Sequence, residues 1–213
     1  MMVTKSFFVQ TWLCPKGAWL KRNKPEAAAI NENTIARMET GREVGEMARG
    51  LFGPYRNVTS VDENGRLDLA QMIDTTRAEM EKGTDIICEA SFEYDSCCCA
   101  VDILRKDGDG WAIYEVKSST DPMQDQYIAD GAFQKYVLEQ LGIKVPHAYI
   151  VCLDSQYVLE GDLNIQALFM PVSRKRLQMN SCSTVTHIFR TPAAIFPMRS
   201  LLIMSAKRSS QAK

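Results

Sequence analysis

Apolar positions along the first 170 residues switch between a helical period and a strand period. From Ser6 to Asn23, Phe7, Phe8, Trp12, Leu13 and Trp19 predict one helix. Asn33 to Leu51 predicts a second, with Ile35, Met38, Val44, Met47, Ala48 and Leu51 roughly at helical spacing. Asp68 to Lys82 predicts a third, ended by Gly83 as a C-terminal cap. Strand-like runs follow at about 85–94, 97–106 and 110–117. Asp125 to Leu141 returns to helical spacing and closes at Gly142, and a buried strand is expected at His147–Leu153. A further strand-like pair flanks Glu160-Gly161-Asp162. The order helix, three strands, helix, strand predicts one α/β domain over residues 1–170, a mixed sheet flanked by helices.

Two polar intrusions in this pattern point to chemistry. Asp102 interrupts the apolar stretch Ala100-Val101-Asp102-Ile103-Leu104, where an unpaired carboxylate is costly. Glu115-Val116-Lys117 ends the run Trp111-Ala112-Ile113-Tyr114. Between them stands Lys106-Asp107-Gly108-Asp109-Gly110, and Asp-Gly pairs mark hairpin turns. An antiparallel hairpin brings Asp102 close to Glu115. Glu115 and Lys117, two residues apart, share one face of their strand. Two carboxylates at short range repel unless a cation joins them. Hard oxygen donors suit Mg²⁺ or Mn²⁺, and Lys117 supplies a point charge for a phosphate or an attacking water. The bland alternative is a solvated Glu–Lys ion pair on one strand face.

Composition divides the chain. All 26 acidic residues precede Pro171, whereas 8 of the 25 Lys and Arg residues follow it. The first 170 residues therefore carry 17 basic residues and a net charge of −9. The tail 171–213 lacks clear periodicity and contains Pro192 and Pro197. It reads either as a basic arm for a nucleic-acid backbone or as sequence foreign to the domain, and the second reading is preferred. The seven cysteines are odd in number and clustered at 97–99. Phe7-Phe8-Val9 is too short for a secretory signal, and no run is long enough for a transmembrane helix. These features predict a reducing, cytoplasmic setting without a membrane partner. Cys97-Cys98-Cys99 reads as buried structural cysteine, and His147 as a structural residue at a strand start.

Several weak motifs, in order, carry a resemblance. Gly41 to Arg49, Cys88-Glu89-Ala90-Ser91-Phe92, Asp102, Glu115-Val116-Lys117 and Asp130 to Tyr136 resemble the PD-(D/E)XK nuclease superfamily. Within it they are similar to the RecB-like branch, which includes the CRISPR-associated exonucleases. The match spans roughly Ser6 to Phe169. It implies a restriction-endonuclease-like core, with Asp102, Glu115 and Val116 as metal ligands and Asp102, Glu115 and Lys117 as catalytic residues. Glu46 and Glu89 are additional candidate ligands, and Gln134 and Tyr136 would touch substrate. Many relatives have a metal-binding His where this chain has Gly45, which leaves Glu46 as the candidate substitute. Many also bind an iron–sulfur cluster through one N-terminal and three C-terminal cysteines. Cys14 matches the first, but only Cys182 lies beyond Cys152, so no cluster is expected. The end of the resemblance where the acids stop suggests a domain that has lost its natural C-terminus.

The implied activity is Mg²⁺- or Mn²⁺-dependent hydrolysis of DNA phosphodiester bonds. Lys16, Lys21, Arg22, Lys24, Arg42 and Arg49 are candidates for a basic cleft in the otherwise acidic domain. The alternative is a catalytically inactive nuclease-like domain that binds nucleic acid or a partner protein.

Overall fold

A computed structural model describes residues 2–27 and 31–170; the basic tail, Cys182 included, lies outside them. The chain is α/β. Strands β1 (Val3–Thr4), β2 (Arg56–Asn57), β3 (Ile86–Tyr94), β4 (Cys97–Asp107), β5 (Gly110–Lys117) and β6 (His147–Cys152) form one mixed sheet. Its order is β2-β3-β4-β5-β6, with β1 also paired to β4. β3, β4 and β5 run antiparallel to their neighbours within the meander; β2 on β3, β6 on β5 and β1 on β4 are parallel.

The helices are α1 (Lys5–Leu13), α2 (Pro15–Asn23), α3 (Glu32–Ala48), α4 (Leu69–Lys82), α5 (Asp125–Gln140) and a single turn, α6 (Ile165–Leu168). The expected helix from Ser6 to Asn23 is thus two. Pro15 disfavours helical backbone at Cys14, which is extended (φ −153°, ψ 92°), and the Cys14 sulfur then accepts from Gly17 N at 3.3 Å to cap α2. The helix expected to reach Leu51 ends at Ala48 and tightens into a 3₁₀ turn, Arg49–Phe52. α4 is capped as its sequence requires. Asp68 accepts from Gln71 N at 3.0 Å, and Gly83 takes the left-handed conformation (φ 80°). The strand-like pair around Glu160-Gly161-Asp162 is not formed. That stretch is loop, because Val158, Leu159 and Leu163 stay exposed and find no face to cover. Only an isolated bridge joins Leu153 to Phe169.

The sheet has a core on each face. Phe8 of α1 and Ala129, Phe133, Val137 and Leu138 of α5 pack with Ile87, Ala90, Val101, Leu104 and Ile113. Val44 and Ala48 of α3 pack with Cys88, Ile103, Ala112, Tyr114, Val116 and Phe169 on the other side. The face assignment inverts within two strands. On β3 it passes from Ile87 to Ala90, and on β4 from Val101 to Leu104, where strict alternation demands odd or even positions throughout. The inversions coincide, since Cys88 pairs with Ile103 and Ala90 with Val101. Glu89 and Asp102 stand opposite each other at the break, and Glu89 has φ 60°, a conformation costly for a residue with a Cβ.

Candidate functional site

The β4–β5 ladder stops at the pair Ile103–Tyr114. Beyond it β5 pairs only with β6, through Glu115–Ile150, Val116–Val151 and Lys117–Cys152. The freed Val116 N–H donates instead to Asp102 Oδ2 at 2.7 Å, so a side chain replaces a ladder carbonyl where the strands splay. β3 covers one edge of β4 at Cys97 and Cys98, and β1 pairs with those same residues from the other edge, the one β5 has left. Lys5 follows β1 immediately as the first residue of α1.

Four elements deliver charged groups to this splay. Glu115, fully buried, accepts from Lys5 Nζ at 2.9 and 3.0 Å, from Lys117 Nζ at 2.6 Å and from Gln134 Nε2 at 2.7 Å. Asp130 accepts from Lys117 Nζ at 2.5 Å and from Gln134 Nε2 at 3.2 Å. Lys5 Nζ also stands 3.7 Å from Asp130 Oδ1 and 4.0 Å from Asp102 Oδ1. Asp130 and Gln134 meet because residues four apart share a helix face. Gln134 Oε1 is buried without a hydrogen-bond partner among the described residues. Lys117 Nζ also lies 5.3 Å from the centre of the Tyr127 ring.

The electrostatics follow from this crowding. Burial raises Asp102 to about 7, and the Glu115 carboxylate adds to it. Asp130 is raised for the same two reasons. Burial also opposes ionisation of Glu115, but the two ammonium groups hold it well below the usual carboxylate range. Burial opposes the charge on Lys5 and on Lys117 too; the carboxylates prevail and raise both.

Of the residues singled out from sequence, Asp102, Glu115, Lys117 and Gln134 are brought together. Val116 contributes its N–H to Asp102. Glu89 sits beside them across from Asp102, where Arg49 Nη2 donates to it at 3.1 Å. Glu46 is placed elsewhere, exposed and paired with Arg42 at 3.2 Å, because it lies on the outer side of α3 from Val44 and Ala48. Tyr136 packs against the α1–α5 core instead, since two residues beyond Gln134 is about 200° around the helix. Lys5 and Asp130 were missed as site residues. Asp130 carried a readable signal, an acid one turn before Gln134. Lys5, 110 residues from Glu115, carried none.

The donor chemistry fits a divalent ion. Asp102, Glu115 and Asp130 offer hard oxygens, and the Lys5 ammonium already marks a cation position within 4.0 Å of all three. As the side chains stand, no three acidic, imidazole or thiol groups among the described residues are arranged to hold a metal. Cys14 is exposed, Cys97 is half-buried, and Cys88, Cys98, Cys99 and Cys152 are buried. Among the described residues no helix is long and apolar enough to cross a membrane. No protein-family model matches the chain, and no curated protein matches it.

Proposed function

We propose that this chain hydrolyses phosphodiester bonds in DNA with the help of Mg²⁺ or Mn²⁺, on a core of the restriction-endonuclease-like kind. The observation that carries the reading is the splay itself: an acid on β4, Glu-x-Lys on β5 and Gln134 on the following helix converge on one polar, largely buried point. Asp102, Glu115 and Asp130 would hold the ion, which when bound activates a water and offsets charge on the phosphate oxygens. Lys117 supplies a fixed positive charge beside the reacting phosphate. Gln134 and Asp130 keep Glu115 and Lys117 in place. For the nucleic-acid backbone, Lys16, Lys21, Arg22 and Lys24 are exposed on or next to α2, directly after the helix that carries Lys5. They supply local positive charge that the domain as a whole lacks. DNA as the substrate rests on the sequence resemblance, and a cytoplasmic setting on the odd, clustered cysteines.

A second reading is an inactive domain of the same fold that binds nucleic acid or a partner protein. The Lys5 ammonium among the three carboxylates favours it. The deciding experiment incubates the full chain with single- and double-stranded DNA in Mg²⁺ and in Mn²⁺, beside Asp102→Ala and Lys117→Ala. Cleavage abolished by both substitutions supports the enzyme. Cleavage that survives both removes this site from consideration, and DNA retention without cleavage by the unmodified chain favours the second reading.

A further inference from the structure

We propose that Lys5 occupies the divalent-ion position of this site in the metal-free protein and must withdraw for the ion to enter, so that the N-terminal segment sets the site's metal affinity. The inference rests on the metal-dependent reading above. Three observations carry it.

The first is geometric. The Lys5 ammonium contacts both oxygens of Glu115 and lies 3.7 and 4.0 Å from Asp130 and Asp102, whereas Lys117 reaches only Glu115 and Asp130. Of the two lysines, Lys5 alone is near all three acids. A divalent ion gathered by the same acids would stand within about 4 Å of it, where like charges repel strongly even at an effective dielectric of about 20. The second is charge balance. The three carboxylates and two ammonium groups leave one net negative charge when all are ionised. Exchanging the Lys5 ammonium for a divalent ion brings the cluster to neutrality, while exchanging nothing overfills it. The third is topological. β1 is only two residues long and plugs the edge of β4 that β5 vacates, so Lys5 is delivered by a two-residue strand rather than by the long strands of the meander. Its side chain has the length and rotamer freedom to retract without moving β4 or β5.

Lys5 on this account is a positioning residue. It keeps mutually repelling carboxylates assembled until the ion replaces it. The test is Mn²⁺ binding to the full chain, followed by electron paramagnetic resonance of free Mn²⁺, for the unmodified chain, Lys5→Met and Lys5→Arg. Lys5→Met should bind Mn²⁺ at least tenfold more tightly, about 1.4 kcal/mol. Lys5→Arg retains a competing charge and should bind no more tightly than the unmodified chain. In EDTA, Lys5→Met should melt below the unmodified chain, and it should gain more from added Mn²⁺. Binding by Lys5→Met that is no tighter overturns the inference while leaving the metal reading intact. Absence of Mn²⁺ binding in all three chains overturns both. A Lys5→Met chain that stays unfolded with Mn²⁺ present also overturns the inference, because the ion then fails to replace the ammonium.

Discussion

Glu115→Ala is the substitution that most directly measures how the cluster is held. It removes the acceptor of four hydrogen bonds, two from Lys5 and one each from Lys117 and Gln134, at a position 2% exposed. Breaking a buried ion pair from one side costs about 3–5 kcal/mol, chiefly because the other charge is left uncompensated. Lys117 keeps Asp130 at 2.5 Å, and Lys5 keeps only longer contacts to Asp130 and Asp102. The loss should therefore fall near the lower end, about 3 kcal/mol. At roughly 2–4 °C per kcal/mol for a chain of this size, Tm drops by about 6–12 °C. Thermal melts followed by circular dichroism at pH 7 in EDTA read it directly. Adding Lys5→Met to Glu115→Ala removes the stranded ammonium and should restore part of the loss, a coupling that independent sites do not show. A drop in Tm below about 2 °C for Glu115→Ala would refute the reasoning, since the two lysines would then be satisfied without this carboxylate.

Three other outcomes are expected. The folded chain holds a proton on Asp102 up to about pH 7 that an unfolded aspartate releases near 3.9, so this group's contribution to stability is lost as pH rises through that window. Asp102→Asn should flatten the metal-free Tm profile between pH 5 and 8, and an unchanged slope contradicts this. Gly110→Ala places a Cβ 2.6 Å from the Lys144 carbonyl, which also accepts from Trp111 N at 2.9 Å; about 1–3 kcal/mol should be lost in urea unfolding, and an unaltered midpoint contradicts it. Iodoacetamide at pH 8, read by peptide mass mapping, should label exposed Cys14 well before Cys88, which burial raises to about 12, and before buried Cys99, raised likewise. Equal labelling rates would show that the sheet opens readily.

The meander was legible because its apolar runs are long and its turns carry turn-forming residues, Asp95-Ser96 between β3 and β4 and Asp107-Gly108-Asp109-Gly110 between β4 and β5. Strands β3, β4 and β5 fall within a residue of where the pattern puts them. The Cys14-Pro15 break carried a signal in the restriction proline places on its predecessor, but helical spacing on both sides concealed it and one helix was expected in place of two. β1 and β2 were not legible, since two residues establish no period. The same limit hid Lys5: its partner is chosen by where a two-residue strand docks, which no local pattern encodes. Glu89 marks where strict alternation along a strand stops being a guide. Alternation along Cys88, Ala90 and Phe92 assumes an unbroken pleat, yet the pleat inverts at Glu89 and Asp102, and Cys88 and Ala90 face opposite cores.

That inversion bears on how loss of activity should be interpreted. Asp102 is the hydrogen-bond acceptor for Val116 N–H as well as the proposed ligand, so it replaces the ladder contact that the splay removes. Truncating it to alanine strands a backbone donor in the middle of the sheet, at a cost of about 1–3 kcal/mol, in addition to removing a carboxylate from the cluster. Asp102→Ala thus mixes a folding effect with a chemical one. Asp102→Asn separates them, because its amide oxygen can still accept from Val116 while no longer contributing charge. If the site works as proposed, Asp102→Asn should match Asp102→Ala in lost cleavage and Mn²⁺ affinity but retain most of the stability that alanine loses. Should the two variants instead lose stability equally, the Val116 contact would depend on charge, and the splay would be held by electrostatics rather than by replacement of a ladder bond.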